Sequence, residues 1–247
     1  MINIISKAKK RLVKNLKKFQ RLVKNASIKD INESDTSVII TDLLSELFGY
    51  DKYTEITTET AIRGTYCDIG IKINKTLKIL IELKAADVEL KEYHVKQAID
   101  YAANKGIDWT ILTNGTNWQI YKICFTKPIN KELIYEFDFT KLNPRNMQDL
   151  EMLYAISKEG LEKSILNDLY EQSLTKDKYI IGYLLFSDDV VNTLRKEIKR
   201  NFSHSTLKNE DIKKVLSHEV IKREILEDEN AKIKTKKLKR KIKINFI

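Results

Sequence analysis

The stretch YCDIGIKINKTLKILIELKAAD, residues 66–87, alternates apolar and polar side chains on both sides of an Asn-Lys-Thr connection. Because successive side chains of a strand point to opposite faces, this pattern predicts a β-hairpin with one row of isoleucines and leucines. Asp68, Glu82 and Lys84 fall on the other row. A three-residue loop at residues 74–76 sets a register that places Asp68 directly across from Glu82, with Lys84 on the same face.

The three charged residues of this hairpin allow two interpretations. Two carboxylates about 5 Å apart repel each other, and a bound cation removes that conflict. Mg²⁺ favours one or two carboxylates with waters and phosphate oxygens, and the ammonium of Lys84 can orient an attacking water, so these are the parts of a phosphodiesterase. The simpler interpretation is a solvated charged face whose ion pair contributes a few tenths of a kcal/mol to stability. Because Asp, Glu and Lys are common residues, these three alone favour the simpler interpretation over a metal site.

The segment VELKEYHVKQAIDYAANKG, residues 88–106, is predicted to form a helix that ends at a glycine. Gln97 and Tyr101 are four residues apart, so they share a face with His94. Projecting beside the charged hairpin, they would contact phosphate or hold the lysine in place. The alternative is a tyrosine partly buried at a helix edge and a solvated glutamine.

The periodicity of the apolar residues predicts a mixed α/β domain over residues 27–143. Its order is helix, three strands, helix and two strands joined around an Asn-Gly turn, with residues 132–139 as a candidate further strand. A cap at Ser27 and a stop at Gly49 are expected to delimit the first helix.

Residues outside this domain fall into three further predicted regions. Residues 1–26 form a basic amphipathic helix, residues 144–230 form a helical C-terminal region that begins at Pro144, and residues 231–247 form a basic tail. The 247-residue chain carries a net charge of +10, and both basic ends lack acidic residues entirely. The two ends therefore supply the whole positive excess.

The basic N-terminal helix has three interpretations. Its apolar stripe could pack on the domain while its lysines are solvated, its cations could contact nucleic-acid phosphates, or it could lie on an anionic membrane. The residues expected to contact DNA under the second interpretation are Lys9, Lys10, Arg11, Lys14, Lys17, Lys18 and Arg21.

Composition excludes several classes of protein. The sequence has neither a run of about 18 apolar residues nor a signal peptide, so a cytoplasmic protein without stable membrane association is expected. Two cysteines without a CxxC pair indicate no disulfide framework. No GxxxxGK[ST] loop is present, so no ATP site is expected.

The region from about Glu33 to Ile123 resembles the PD-(D/E)XK nucleases, and most closely the N-terminal nuclease domain of type I restriction enzyme motor subunits. The motifs that carry the resemblance are NESDTSVIITDLLSELFGYD, YCDIG, IELKA, QAIDY and WTILTNGTNWQIY. The resemblance implies a restriction-endonuclease-like mixed sheet flanked by helices, here with a helical C-terminal extension. It also implies a Mg²⁺-dependent DNA endonuclease, with Mn²⁺ as the alternative metal.

The same resemblance assigns roles residue by residue. The implied metal ligands are Asp68 and Glu82, the implied catalytic lysine is Lys84, and the implied supporting residues are Gln97 and Tyr101. Glu33 is the implied auxiliary acid, with Asp42 and Glu46 as alternatives on the same predicted helix. DNA is the expected partner, within a homodimer or a larger restriction or defence complex. The competing function is a non-cleaving DNA-binding or accessory module that keeps the nuclease fold.

Overall fold

The computed structural model describes residues 2–62, 65–125, 129–202, 206–228, 231 and 234–235. Nearly all of the predicted basic tail lies outside these residues. The chain separates into two compact units, residues 1–168 and 169–247. The predicted boundary after residue 143 therefore falls within the first unit.

The first unit is built on a mixed six-stranded sheet whose strands lie side by side in chain order. The strands are β1 (Ile56–Ile62), β2 (Thr65–Ile73), β3 (Thr76–Leu83), β4 (Trp109–Thr113), β5 (Asn117–Cys124) and β6 (Asn130–Asp138). Neighbouring strands are antiparallel except β3 and β4, which are parallel and are joined by a helical crossover. This confirms the predicted α/β fold with its mixed sheet.

Helices α1 (Ser6–Ile28) and α2 (Glu33–Glu46) precede the sheet, and α3 (Lys96–Lys105) is the crossover between β3 and β4. After the sheet come α4 (Met147–Ala155), α5 (Lys158–Glu162) and α6 (Ile165–Thr175). A 3₁₀ turn, Glu92–Val95, precedes α3, and another, Phe139–Lys141, follows β6. The division between the two units falls within α6.

Two helix starts differ from the sequence-based predictions. Ser27 lies in the last turn of α1, because Ala26 still packs on the domain, and the cap of α2 is Asn32, whose side chain accepts a hydrogen bond from the Asp35 amide. Residues 88–91 are not helical, so the crossover helix begins later than predicted. Its end is as expected, because Gly106 takes the left-handed conformation with φ 68°.

The β2–β3 hairpin reaches the predicted register by a different route. Its turn has two residues, Asn74 and Lys75, both with positive φ, instead of the predicted three-residue loop. A bulge opposite Ile71 and Lys72 then adds one residue, Lys78, to β3. Beyond the bulge Ile69 pairs with Ile81, and the same register carried one step further aligns Asp68 with Glu82.

Both faces of the sheet are covered at β3. On one face the isoleucines Ile71, Ile79 and Ile81 lie with Leu44 and Phe48 around a shared apolar core. On the other face α3 packs over a cluster of buried residues that includes Cys67, Leu80, Ala98, Tyr101, Ala102 and Leu112. Residues 79–83 are consequently all buried, as expected of an interior strand of an α/β sheet.

Helix α1 packs its entire apolar stripe against the first unit. Its buried residues are Ala8, Leu12, Leu16, Phe19, Val23 and Ala26. The guanidinium of Arg11 is held by both carboxylate oxygens of Glu159 and by the carbonyls of Leu47 and Phe48. The packing interpretation therefore holds for the apolar side of this helix.

The second unit is helical, as predicted. Beyond α6 it contains α7 (Lys178–Leu184), α8 (Asp188–Asn201), α9 (Asn209–Val215), a π-helical turn (Leu216–Val220) and α10 (Arg223–Glu227). A small cluster of Val191, Ile212, Leu216 and Ile221 forms its buried centre. Every helix in the described part of the chain is too short or too polar to cross a lipid bilayer.

Candidate active site

The site begins where β2 and β3 separate. The two strands are paired as far as Ile69 and Ile81, and Asp68 lies one residue beyond. The Asp68 Oδ2 atom accepts a hydrogen bond from the backbone N–H of Leu83 at 2.6 Å. The Asp68 carboxylate thus joins β2 to β3 where the two strands diverge, at the residue that follows Glu82.

Glu82 is a buried carboxylate, 7% exposed. Its Oε1 atom accepts a hydrogen bond from Lys84 Nζ at 2.9 Å, whereas its Oε2 atom has no hydrogen-bond donor among the described residues. Burial raises the pKa of Glu82 to about 7; the Lys84 hydrogen bond opposes that rise, and the charges of Asp68 and Glu33 add to it. A buried acceptor without a donor is costly, so this atom is suited to a cation or an external donor.

Lys84 is the cation at the centre of the site. Its Nζ atom lies 2.9 Å from Glu82 and 3.5 Å from Glu33 Oε2, and it also donates to the Leu83 carbonyl. Burial alone would lower the pKa of Lys84, but the hydrogen bond to Glu82 and the negative charges of Glu82, Glu33 and Asp68 outweigh it and raise the pKa. Lys84 therefore stays protonated at neutral pH.

The backbone around Lys84 is fixed from two directions. Its amide donates to the Thr113 carbonyl at 3.0 Å, which extends the parallel β3–β4 pairing by one residue. Two residues later the Ala86 amide donates to the Ile31 carbonyl in the loop before α2. The second bond holds the start of α2, and with it Glu33, next to the end of β3.

The three candidates for the auxiliary acid lie in different ion pairs. Glu33 is the first residue of α2 and forms the ion pair with Lys84. Asp42 instead pairs with Lys52 at 2.8 Å, and Glu46 pairs with Lys18. Glu33 is thus the one of the three that the structure brings to the charged hairpin.

The two predicted residues of α3 have different surroundings. Gln97 is exposed, whereas Tyr101 is buried and lies in the same apolar cluster as Cys67. The Tyr101 hydroxyl has no hydrogen-bond partner among the described residues, and burial raises its pKa. Tyr101 therefore supports the sheet face behind the site, and among the described residues its hydroxyl makes no hydrogen bond to Lys84.

His94 is a residue near the site for which sequence analysis predicted no role. Its Nδ1 atom accepts a hydrogen bond from the Lys91 amide at 3.0 Å, so the neutral ring carries its proton on Nε2. Burial lowers the pKa of His94, as do the positive charges of Lys84 and Lys91, while Glu33 opposes them. The only sequence signal for this position was its spacing from Gln97.

The donor atoms of the site can be compared with those that a divalent metal ion requires. In the part of the chain that the structure describes, no group of three or more His, Cys, Asp and Glu side chains could hold a metal ion by itself. Asp68 and Glu82 form a pair of the kind that Mg²⁺ uses together with waters and substrate phosphate oxygens. The chemistry of the donors and the unpartnered Glu82 oxygen fit such an ion.

The predicted DNA contacts on α1 do not form a uniform set. Arg11 is only 19% exposed in its ion pair, and its guanidinium is engaged within the protein. Lys18 pairs with Glu46. The other predicted residues, Lys9, Lys10, Lys14, Lys17 and Arg21, are exposed to solvent, and their contact with DNA stays a prediction.

Comparison with known protein families finds a match, which covers residues 39–135. This segment matches the family model described as the type I restriction enzyme R protein N terminus. The match includes Asp68, Glu82, Lys84, Gln97 and Tyr101, and it confirms the resemblance to that nuclease domain. It indicates a restriction-type nuclease domain. The chain matched no curated protein and no solved structure.

Proposed function

We propose that this protein is a Mg²⁺-dependent DNA endonuclease whose active centre is formed by Asp68, Glu82, Lys84 and Glu33. The observation that carries the proposal is the meeting of three carboxylates around one lysine, with a buried Glu82 oxygen that lacks a donor among the described residues. The family match supports the choice of DNA as substrate.

Asp68 and Glu82 are the residues proposed to hold the metal. When bound, Mg²⁺ would neutralise the two carboxylates and supply Lewis-acid activation of the phosphodiester. Mn²⁺, which accepts the same oxygen ligands, is expected to substitute for it. The pair needs no third protein ligand, because water and phosphate oxygens complete the shell of such an ion.

Lys84 is proposed to act directly on the reacting groups. Its protonated ammonium can donate hydrogen bonds to the attacking water and to the phosphate oxygens that gain negative charge. Glu82 and Glu33 orient that ammonium, and the Thr113 carbonyl fixes its backbone. Glu33, which is half exposed, lies on the solvent side of Lys84 and is proposed to position both the lysine and water.

Cleavage of supercoiled plasmid in Mg²⁺ or Mn²⁺ tests the proposal. Wild-type protein is expected to nick or linearise the plasmid, and Asp68→Ala and Lys84→Ala are expected to abolish this activity. Asp42→Ala is the matched control, because it also removes one carboxylate but lies in a separate ion pair. Equal cleavage by wild type and both site variants would overturn the assignment. Salt-sensitive DNA binding without cleavage under any metal would favour the accessory module.

A second experiment measures the metal without relying on activity. Titration with Mn²⁺, followed by the loss of its free electron-paramagnetic-resonance signal, should reveal binding to wild type that Asp68→Ala removes and Asp42→Ala retains. Identical titrations for all three proteins would place any bound metal elsewhere.

The role of Glu33 is separable from that of its neighbours on α2. Glu33→Gln is expected to slow cleavage, because it removes one of the two carboxylates that orient Lys84. Glu46→Gln should cleave at the wild-type rate, because Glu46 pairs with Lys18. A slower Glu46→Gln variant with an unaffected Glu33→Gln variant would reverse the assignment.

A further inference from the structure

The solvent side of α1 carries a straight row of cations. Positions spaced alternately by three and four residues lie along one face of a helix. On α1 this face is occupied by Lys7, Lys10, Lys14, Lys17, Arg21 and Lys24, here called the cationic stripe. All six are exposed, and they lie on the side opposite the buried apolar residues. At 1.5 Å per residue, the stripe is about 26 Å long.

The cationic stripe has no internal counter-charge. Residues 1–29 contain no aspartate or glutamate. Within the described part of the chain, none of the six cations forms an ion pair, in contrast to Arg11 and Lys18 on the same helix. The positive field along this face therefore extends into solvent.

This arrangement works against the stability of the helix. Like charges three or four residues apart each destabilise a helix by about 0.2–0.5 kcal/mol, and the stripe contains five such neighbouring pairs. The first turn holds no acidic residue, and the N-cap position, Ile5, has no side-chain hydrogen bond to the helix. Packing of the apolar face maintains α1, so the uncompensated charges have no structural purpose on the domain itself.

The burial of the apolar side of α1 distinguishes between two possible anionic partners, a membrane and a nucleic acid. An amphipathic helix that lies on a membrane inserts its apolar face between the lipids. On α1 that face is already covered, since Leu12, Leu16 and Phe19 have no exposed surface. Only the cationic face is available, and it suits a rigid polyanion rather than a bilayer interior.

The C-terminal end of α1 approaches the candidate active site. A Cβ atom placed on Gly115, in the turn after β4, would lie 3.5 Å from Val23 Cγ1. The strand before that turn holds the Lys84 backbone through the Thr113 carbonyl. The connection from α1 to Glu33 is also short, because α1 ends at Ile28. The stripe thus leads toward the residues proposed to cleave DNA.

We propose that the cationic stripe binds the phosphate backbone of duplex DNA and guides it to the active site. The guiding role rests on the proposed function, whereas the binding itself does not. Duplex DNA carries one charge per about 1.7 Å of its axis, so a stripe of this length faces many phosphates at once. Each neutralised phosphate releases condensed counterions and adds about 0.9 to the slope of log affinity against log salt.

The test uses the full chain in an Asp68→Ala background with EDTA, so that cleavage plays no part. The stripe variant combines Lys10→Gln, Lys14→Gln, Lys17→Gln and Arg21→Gln. The control combines Lys75→Gln, Lys78→Gln, Lys105→Gln and Lys163→Gln, four exposed lysines outside α1 that give the same change in net charge. Binding of a fluorescent 30-base-pair duplex is measured by anisotropy between about 50 and 300 mM NaCl.

The stripe variant is expected to bind at least about tenfold more weakly, with a salt slope lower by about 2–4, because as many as four phosphate contacts are lost. The control should retain the slope of its parent. If both variants lost DNA affinity equally, net charge alone would explain the loss, and the proposal would be overturned. Unchanged binding by the stripe variant would overturn it as well. Circular dichroism and thermal melting check that both variants fold.

Two further probes test the choice of partner. Vesicles with 30% phosphatidylserine and a single-stranded oligonucleotide replace the duplex in the same assay. Tighter stripe-dependent binding to either one would overturn the duplex assignment. Because every measurement is made without cleavage, a failed nuclease assay leaves this result intact, and a failed binding assay leaves the metal-site experiment intact.

Discussion

The candidate active site and the cationic stripe use charge in opposite ways. In the site, Lys84 is surrounded by carboxylates, and burial and mutual repulsion shift the pKa of Glu82 to about 7. In the stripe, six cations face solvent and no acid lies nearby in the sequence. A compact cluster with compensating charges suits the positioning of reacting groups, whereas an open uncompensated row suits binding that is independent of DNA sequence.

The largest expected effect separates catalysis from binding. Lys84→Gln should lower the single-turnover cleavage rate by at least about 10²-fold, because it removes a donor to developing negative charge. Its DNA affinity should change little. The stripe variant should show the reverse, with weaker affinity and a wild-type rate at saturating DNA. Quenched flow measures the cleavage rate, and anisotropy measures the DNA affinity. If each variant lost both rate and affinity, the active site and the cationic stripe would not have separate roles.

A second prediction compares two cations on the same helix. Arg11→Ala should lower the free energy of unfolding by about 3 kcal/mol, because it leaves Glu159 and two carbonyls without their shared donor. Lys14→Ala should change it by less than about 0.5 kcal/mol. Urea denaturation of both variants checks the contrast. Similar losses would mean that Lys14 has a partner and that the stripe is not uncompensated there.

A third prediction concerns the pH dependence of the site without metal. The folded-state pKa of Glu82 is about 7, well above the usual glutamate value, so the folded protein binds the extra proton between about pH 4.5 and 7. Stability is then lost as pH rises through that window. Glu82→Gln, which imitates the protonated form, should stabilise the metal-free protein by about 2 kcal/mol at pH 8 and little at pH 4.5.

Urea denaturation in EDTA at the two pH values measures this effect. Asp42→Asn serves as the control, because Asp42 lies in an exposed ion pair with Lys52. A destabilised Glu82→Gln variant at pH 8 would mean that the Lys84 hydrogen bond outweighs burial.

The smallest expected effect concerns salt. Raising NaCl from about 50 to 500 mM screens the repulsion along the stripe and should stabilise wild type by about 1 kcal/mol relative to the stripe variant. Thermal melting of both proteins at each salt concentration provides the comparison. An equal response of the two proteins would show that stripe repulsion does not contribute to the stability of α1.

The sequence predicted the fold well where apolar periodicity is strong. The alternation in β2 and β3 was enough to align Asp68 with Glu82, although the predicted loop was wrong. A two-residue turn with a bulge and a three-residue loop without one give the same register, so the pattern of isoleucines cannot distinguish them.

The parts that the sequence could not predict depend on contacts distant along the chain. The selection of Glu33 over Asp42 and Glu46 follows from the bond between Ala86 and Ile31, which brings the start of α2 to β3. The separation of Arg11 from its basic neighbours follows from Glu159, more than a hundred residues away. Helical spacing alone gives neither result.

The bulge in β3, opposite Ile71 and Lys72, has a practical consequence for anyone who modifies this protein. It divides the hairpin into a tip, where the turn residues Asn74 and Lys75 are exposed, and a base, which carries Asp68 and Glu82. Lys75 therefore offers an attachment point for a fluorophore or a surface tether on the same hairpin as the site. A probe placed there would report on this hairpin without changing the alignment of the two carboxylates.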